Sequence, residues 1–312
     1  MKLHGGQVSA VGANFDNYPS AVQGEWTGHL QRIPSGHHRL VSITPISIDR
    51  NGLAPYLGNE GAQPLAVLGE PWSSVDFSTP EVLQAFLNHA RVVIEVFTPD
   101  ILVVGIEVNL LRKLAPRDWA DYVEFQRQVY QTLRAENRSL TLMLSFTAAD
   151  MLDDWSDTDT ATQRQALRDV EDYTEIFGIS IYPYLTRHLT GPLPENLFTE
   201  LAGLSSRPYA ITETGYFAAE QTFEIGPELT VTFEGTPQKQ QDWLAWVLRE
   251  ADRRDYRFVI NFVNRDYDAL CEVAMCTDAQ RDWQATGLIN AAGNPRPALE
   301  TWENDLARPL RR

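Results

Sequence analysis

ILVVGIEVN, residues 101–109, is the stretch of sequence that decides the predicted fold. A continuous apolar run of this kind is typical of a strand buried on both faces, as in a parallel sheet. A carboxylate is costly in such a core, because a buried and unpaired charge loses its hydration. We therefore place Glu107 at the mouth of a barrel, where the strands end and catalytic side chains are found. The stretch YAITETGY, residues 209–216, has the same form and places Glu213 at the end of a later strand.

The rest of the chain alternates between predicted strands and predicted helices. The strands are predicted at residues 7–15, 39–48, 101–109, 140–147, 176–184, 209–214 and 257–262, and the helices at 25–33, 79–97, 115–136, 157–173, 194–204, 237–254 and 297–306. This alternation predicts a parallel sheet. No Gly-x-Gly-x-x-Gly follows any strand, so we favour a (β/α)8 TIM barrel over an open doubly wound sheet. We expect one domain over residues 1–312.

The predicted barrel has seven strands, and the missing one is the first, at the N-terminus. A sheet that lacks this strand presents an edge of unpaired backbone groups. We expect the N-terminal residues, a rearranged loop or a partner chain, as in a homo-oligomer, to cover that edge.

Composition and charge argue against two classes of partner. The 312 residues carry 26 basic and 42 acidic side chains, for a net charge of −16. This balance argues against a nucleic acid or an anionic membrane, which both need clustered Lys and Arg, but it suits a neutral sugar.

No apolar run approaches about 18 residues, so we expect no membrane-spanning helix. The first residues, MKLHGG, lack the apolar region of a signal peptide. Removal of a signal from a longer gene product stays open, and a secreted or periplasmic location is favoured.

The two cysteines, Cys271 and Cys276, are five residues apart. They form either a local disulfide or a pair of free thiols, and two thiolates make only half of a zinc site. The histidines are not spaced as metal ligands. The acidic run at 153–159 indicates a solvated helix start, with calcium binding as the alternative. We expect no cofactor and no metal.

Two carboxylates at the ends of two barrel strands suit a retaining glycosidase. In that mechanism one acid protonates the leaving oxygen and the other attacks the anomeric carbon, across a separation of about 5–5.5 Å. Tyr182, at the end of the strand between them, is placed to hydrogen-bond the nucleophile. The plainer alternative for Glu107 and Glu213 is a salt bridge within a loop.

Aromatic side chains near the predicted strand ends are candidates for stacking on sugar rings. They are Trp72, Tyr184, Tyr216 and Phe262. Trp72 lies in a long loop at 49–78, and a second long loop, at 218–235, contains a candidate hairpin; we expect the substrate groove between these loops. Alternatively, Tyr182 and Tyr184 cap a core, and Trp72 packs its own loop.

The motifs GIEVN (105–109), GISIYPY (178–184) and ITETGY (211–216), in this order, resemble clan A glycoside hydrolases. The closest resemblance is to the arabinogalactan endo-β-1,4-galactanases of family 53 and their bacterial relatives, whose closing segment is similar to TGLINAAGNPRPALETW at 286–302. The resemblance covers about residue 40 to the end. It implies that Glu107 is the acid/base and Glu213 is the nucleophile.

Two positions depart from the clan pattern. Ile106 stands where the clan usually places an asparagine that binds the sugar 2-hydroxyl, and Asn109 or Asn14 are the candidate substitutes. Asn261 and Phe262 stand where the last strand usually carries a platform tryptophan. Hydrogen bonds to the 2-hydroxyl strengthen in the transition state, so turnover of an ordinary β-galactan or β-glucan is the point to test.

The sequence therefore predicts a retaining β-glycosidase that hydrolyses a β-linked oligo- or polysaccharide. The rival hypothesis is a non-catalytic carbohydrate-binding barrel that keeps both acids. A third hypothesis is a different hydrolase, or an accessory protein of polysaccharide assembly, on the same barrel.

Overall fold

The computed structural model describes residues 14–58, 61–188, 192–226, 229–269, 271 and 283–309. Its strands are β1 (Leu40–Ser42), β2 (Tyr56–Gly58), β3 (Gly61–Gln63), β4 (Ile101–Val103), β5 (Thr141–Thr147), β6 (Phe177–Ile181), β7 (Tyr209–Thr214), β8 (Gln221–Gly226), β9 (Leu229–Phe233) and β10 (Val259–Asn261). Its α-helices are α1 (Ser20–Arg32), α2 (Pro80–Phe97), α3 (Asn109–Leu114), α4 (Trp119–Glu136), α5 (Thr160–Val170), α6 (Leu197–Leu201), α7 (Pro237–Arg253) and α8 (Pro297–Leu306).

The chain divides into two compact units, so the expectation of a single domain stays a prediction. The first unit comprises residues 1–147 and 158–178, and the second comprises 148–157 and 179–312. In the first unit the strand order is β1-β4-β5 followed by the first two residues of β6; in the second, the last three residues of β6 are followed by β7 and β10. The pairs β1–β4, β4–β5 and β7–β10 are parallel, as predicted.

Each unit has a core of apolar side chains from strands and covering helices. In the first unit, Leu102 of β4 and Phe86 and Val93 of α2 are fully buried. In the second unit, Ile211 of β7 and Val247 of α7 are fully buried. Successive residues of β5 and β7 are buried, so both faces of these strands are removed from water, as expected of a parallel sheet.

Helix boundaries with local signals agree closely with the sequence predictions. Helix α2 has Pro80 at its first position and Glu81 in its first turn, and it ends where Thr98 turns left-handed, with φ of 43°. Helix α8 has the predicted bounds. The sequence predicts that helix α4 begins at Ala115, but it begins at Trp119, because residues 115–118 form a turn between α3 and α4.

Several predicted strands are too long. The predicted strand 101–109 ends at Val103, after which the chain bends through Glu107 into α3. The predicted strand 39–48 ends at Ser42, shortly before Pro45. Most of the predicted strand 7–15 lies outside the described residues, and Phe15 opens a 3-10 turn instead, capped by the side chain of Asn14.

Both long loops contain secondary structure. The loop at 49–78 includes the antiparallel ribbon β2–β3 and two 3-10 turns, at Leu65–Leu68 and Trp72–Ser74. The predicted hairpin within 218–235 is confirmed as the antiparallel pair β8–β9. Among the described residues, no helix combines the length and the apolar character that a bilayer crossing requires.

Candidate active site

Glu107 follows β4 in a left-handed backbone conformation. Its φ is 50°, which costs a non-glycine residue about 1–3 kcal/mol. The Glu107 N–H donates to Ser145 Oγ at 2.9 Å, and the Val108 N–H donates to the Ser145 carbonyl oxygen at 3.0 Å. A Cβ added at Gly105 would lie 2.7 Å from the Val108 side chain and 2.8 Å from the Tyr122 hydroxyl. Glycine and the serine of β5 together fix this turn.

The Glu107 carboxylate is paired with a buried arginine. Arg50 Nη2 donates to Glu107 Oε2 at 2.9 Å, and the two side chains are 10% and 18% exposed, respectively. Arg50 Nη1 donates to the carbonyl oxygens of Ser47 at 3.0 Å and Ile48 at 3.2 Å. A carboxylate this far removed from water needs such a partner. The pair places a charged cluster directly after β4.

Glu213 lies near the end of β7 and is 8% exposed. The Tyr182 hydroxyl donates to Glu213 Oε2 at 2.9 Å. The next residue ties the two strand ends together, because Thr214 Oγ1 donates to the Ile181 carbonyl oxygen at 2.8 Å and accepts from Trp243 Nε1 at 3.0 Å. The sequence suggested Tyr182 as a partner for Glu213, and this geometry contains that hydrogen bond.

Tyr182 packs against an aromatic cluster. Tyr184 is 3% exposed and packs on Phe217 and Phe233, with ring centroids at 4.0 and 6.1 Å. The Tyr182 ring lies 5.4 Å from that of Tyr184, and the half-buried Tyr216 packs 5.0 Å from Phe233. Burial raises the pKa of Tyr216, so its hydroxyl remains protonated near neutral pH. Because Phe233 ends β9, the cluster also anchors the β8–β9 hairpin.

The end of β10 lies against the residue that follows β7. The Phe262 N–H donates to the Thr214 carbonyl oxygen at 2.7 Å, and a Cβ added at Gly215 would overlap the Phe262 carbonyl oxygen. The Phe262 ring meets the edge of Trp283 at 5.2 Å, and Asn261 Nδ2 donates to the Val263 carbonyl oxygen at 3.3 Å. Asn261 and Phe262 therefore lie at the same end of the second unit as Glu213.

Three predicted site residues of the first unit differ in their surroundings. Asn109 is fully buried, and its amide bonds the backbone of Thr147 and the side chain of Gln163. Such a side chain joins the end of β5 to α5 and does not face solvent. Asn14 is exposed, and its Oδ1 accepts from the Asp16 N–H at 3.0 Å. Trp72 is partly exposed at the start of a 3-10 turn.

Among the described residues, no three His, Cys, Asp or Glu side chains are arranged so that they could hold a metal ion. Cys271 is disulfide-bonded, which selects the first of the two alternatives for it. Cys276 lies outside the described residues.

Sequence reasoning missed two residues around Glu107. Arg50 is 57 positions away in sequence and lies in a loop, and nothing in its local sequence marks its long-range contact. Ser145 lies in the strand predicted at 140–147, directly after the buried run LTLML. A polar residue near the end of an apolar strand was the same signal that identified Glu107, so Ser145 could have been found in this way.

Several solved structures similar to this chain are those of glycosidases. A fungal β-1,4-galactanase is 12% identical, with a TM-score of 0.58, over 94% of this chain and 84% of that chain. A β-glycosidase is 13% identical, with a TM-score of 0.51, over 88% and 74%. β-Glucuronidase 2 of Bacteroides uniformis is 12% identical, with a TM-score of 0.53, over 83% of this chain and 27% of that one.

These likenesses define an α/β barrel-like fold, and at this level of identity they show the fold alone. This chain spans only 36% of the β-D-glucuronidase of Dictyoglomus thermophilum and 27% of the Bacteroides enzyme. No protein-family model and no curated protein sequence matches the chain. A complete (β/α)8 barrel stays a prediction.

Proposed function

We propose that this chain is a retaining β-glycosidase acting on a β-linked oligo- or polysaccharide. The observation that carries the proposal is the buried Glu213 carboxylate near the end of β7, whose Oε2 is held by the Tyr182 hydroxyl. A carboxylate fixed in this way is suited to attack an anomeric carbon. Further support comes from the second carboxylate after β4 and from the glycosidase fold.

The proposed reaction is a double displacement. In the first step a Glu213 oxygen forms a bond to the anomeric carbon while the glycosidic C–O bond breaks, and Glu107 gives its proton to the leaving oxygen. In the second step Glu107 takes a proton from water, and that water displaces Glu213 from the sugar. The two inversions return the original anomeric configuration.

The sugar contacts are also proposals. Tyr182, Tyr216, Asn261 and Phe262 lie around the end of β7 and are our candidates for binding the sugar at Glu213. Trp72 and Asn14 remain the candidates from the first unit. Tyr184 is buried behind Tyr182 and is assigned a supporting role. Asn109 is engaged within the fold, so we do not assign it to the substrate.

The substrate class follows from the resemblance of the motifs to family 53 endo-β-1,4-galactanases. The likeness to a fungal β-1,4-galactanase supports the same choice. We therefore place β-1,4-linked galactan first among the candidate polymers. Ile106 is 2% exposed, so it belongs to the core, and any contact to the sugar 2-hydroxyl must come from another residue.

The test is hydrolysis of a panel of aryl β-glycosides by the wild type and by Glu107→Gln and Glu213→Gln. The panel contains galactoside, glucoside, glucuronide and β-1,4-galactobioside. We expect the wild type to hydrolyse at least one compound, and each variant to lose roughly 10²–10⁴-fold in kcat/KM.

Glu175→Gln is the matched control, because Glu175 is a partly buried carboxylate that pairs with Arg134 and bonds Leu142 near the start of β5, whereas Glu107 bonds Ser145 nearer its end. It should retain activity. Equal hydrolysis by the wild type and both site variants would contradict the proposal. Binding of galactan without hydrolysis would instead favour a carbohydrate-binding barrel.

A further inference from the structure

We propose that Arg50 is the positioning residue of Glu107, holding this side chain for proton exchange with the leaving-group oxygen. The inference rests on the proposed function and deepens it. It starts from one contact, in which Arg50 Nη2 donates to Glu107 Oε2 at 2.9 Å. Neither the motif around Glu107 nor its position after β4 requires this contact.

Both members of the pair have a strained backbone. Arg50 has φ of 57° and Glu107 has φ of 50°, in a region that non-glycine residues rarely occupy. Strain of this kind persists only where the surrounding structure imposes it, and it concentrates at functional sites. Because both residues are strained and their side chains bond each other, we infer that the surrounding structure holds the pair in one arrangement.

The loop that carries Arg50 is built to hold it. Residues 45–54 form a loop that two backbone contacts close. Ile46 and Leu53 form an antiparallel bridge, and the Ala54 N–H donates to the Pro45 carbonyl oxygen at 2.8 Å. Ile46 and Ala54 are fully buried. Within this loop, Arg50 Nη1 bonds two carbonyl oxygens. The contacts within this loop therefore hold the guanidinium group in position.

The burial of Arg50 is costly if its only role is to stabilise the turn. Its Nε lies buried without a hydrogen-bond partner, and a buried donor left unsatisfied weakens a fold. Replacement of a buried ion pair by apolar groups is often neutral or stabilising. The burial of the Arg50 guanidinium group is better explained by its effect on the Glu107 side chain.

The chemical consequence concerns the charge that develops during catalysis. Glu107 must carry a proton when the glycosidic bond begins to break; this proton moves to the leaving oxygen, and Glu107 becomes the carboxylate that pairs with Arg50 in the structure. A fixed cation at 2.9 Å stabilises this developing charge and holds the carboxyl group in line. Arg50 itself makes and breaks no covalent bond. Its effect should therefore be greatest for leaving groups that need protonation.

The experiment compares two leaving groups on the sugar that the wild type hydrolyses. Phenyl glycosides need a proton on the departing oxygen, whereas 2,4-dinitrophenyl glycosides do not. We expect Arg50→Met to lower kcat/KM by about 10–100-fold on the phenyl glycoside, the size of one lost charged hydrogen bond, and by less than about 3-fold on the dinitrophenyl glycoside. Arg50→Lys keeps the charge without the fork and should fall between Arg50→Met and the wild type.

Arg134→Met is the matched control, because Arg134 also pairs with a glutamate and bonds a carbonyl oxygen in the first unit. It should cost stability without any dependence on the leaving group. Circular dichroism establishes that each variant is folded, and Arg50→Lys serves if Arg50→Met is not. Equal losses on both glycosides would overturn the Arg50 role alone, provided that Glu107→Gln still shows its own loss. A wild type inactive on every glycoside would overturn the proposed function and this role together.

Discussion

At the scale of single residues, the proposed mechanism depends on the hydrogen bond from Tyr182 to Glu213. The carboxylate is 8% exposed and receives the Tyr182 hydroxyl at 2.9 Å. A hydrogen bond to a charged group is worth about 1.5–3 kcal/mol. In the proposed mechanism this bond fixes the direction in which the nucleophile points.

We predict that Tyr182→Phe lowers kcat/KM by about 10–100-fold, because the carboxylate loses its charged hydrogen bond and its fixed orientation. The measurement is steady-state kinetics on the best aryl glycoside. Tyr209→Phe is the control, since the Tyr209 hydroxyl bonds the backbone at Leu201 and Ser205 in the same unit. If both variants retain full activity, Tyr182 does not orient the nucleophile.

The sequence identified the residues that local patterns mark. Glu107 and Glu213 stood out because each ends an apolar run, and Tyr182 because it ends the strand between them. Arg50 did not stand out, since its role depends on a left-handed turn and on a partner 57 positions away. Asn109 is a candidate from the sequence because Ile106 cannot bind the sugar 2-hydroxyl, but no motif places it there, and its amide joins β5 to α5.

Helices α1 and α2 pack through a buried aromatic and histidine cluster. The Tyr18 hydroxyl and His89 Nδ1 are 2.8 Å apart, and the Trp26 ring packs against those of Phe15 and Phe97. His89 is 2% exposed, and burial lowers its pKa from 6.5 to about 4. The histidine is therefore neutral in the folded protein over most of the acidic range in which the unfolded chain would bind a proton.

The sign of the resulting pH dependence follows from this lowered pKa. Between pH 6.5 and about pH 4 the unfolded state binds a proton at His89 that the native state does not. The free energy of unfolding therefore falls as the pH falls through this window, by roughly 3 kcal/mol from this group. We predict that His89→Gln removes this part of the slope.

The measurement is urea unfolding at several pH values between 4 and 7, with the variant compared with the wild type. The exposed His37 provides the control, since His37→Gln should leave the slope unchanged. An unchanged pH slope in His89→Gln would contradict the burial of a neutral histidine between α1 and α2.

Elements with local end signals were predicted well, and strands were not. The start of α2 is marked by proline and an acid in the first turn, and α8 also opens with proline. Strand ends carry no comparable signal, because an apolar run can continue past the last strand residue. The stretch 101–109 illustrates this, since β4 ends at Val103 while the apolar character continues to Ile106.

At the scale of the whole molecule, the feature left to explain is what covers the edge strand β1 of the first unit. Among the described residues, β1 has β4 as its only partner in the sheet. An uncovered edge strand is a template for pairing with another chain. We therefore keep the prediction that the N-terminal residues, a rearranged loop or a second copy of the chain covers this edge.

Hydrogen exchange read by mass spectrometry, together with the solution mass from light scattering, tests this prediction. We expect slow exchange of the Leu40–Ser42 amides, in a dimer if a second copy provides the cover. A monomer in which these amides exchange as fast as those of a loop would contradict it.

The central claim is that Glu213 forms a covalent bond to the sugar. The most direct measurement is to incubate the protein with the 2-deoxy-2-fluoro β-glycoside of the sugar that it hydrolyses, and to locate the label by peptide mass spectrometry. A retaining mechanism with this nucleophile predicts one glycosyl unit on the peptide that contains Glu213, and none in Glu213→Gln. A label on another carboxylate, or hydrolysis with inversion and no label, would contradict the account.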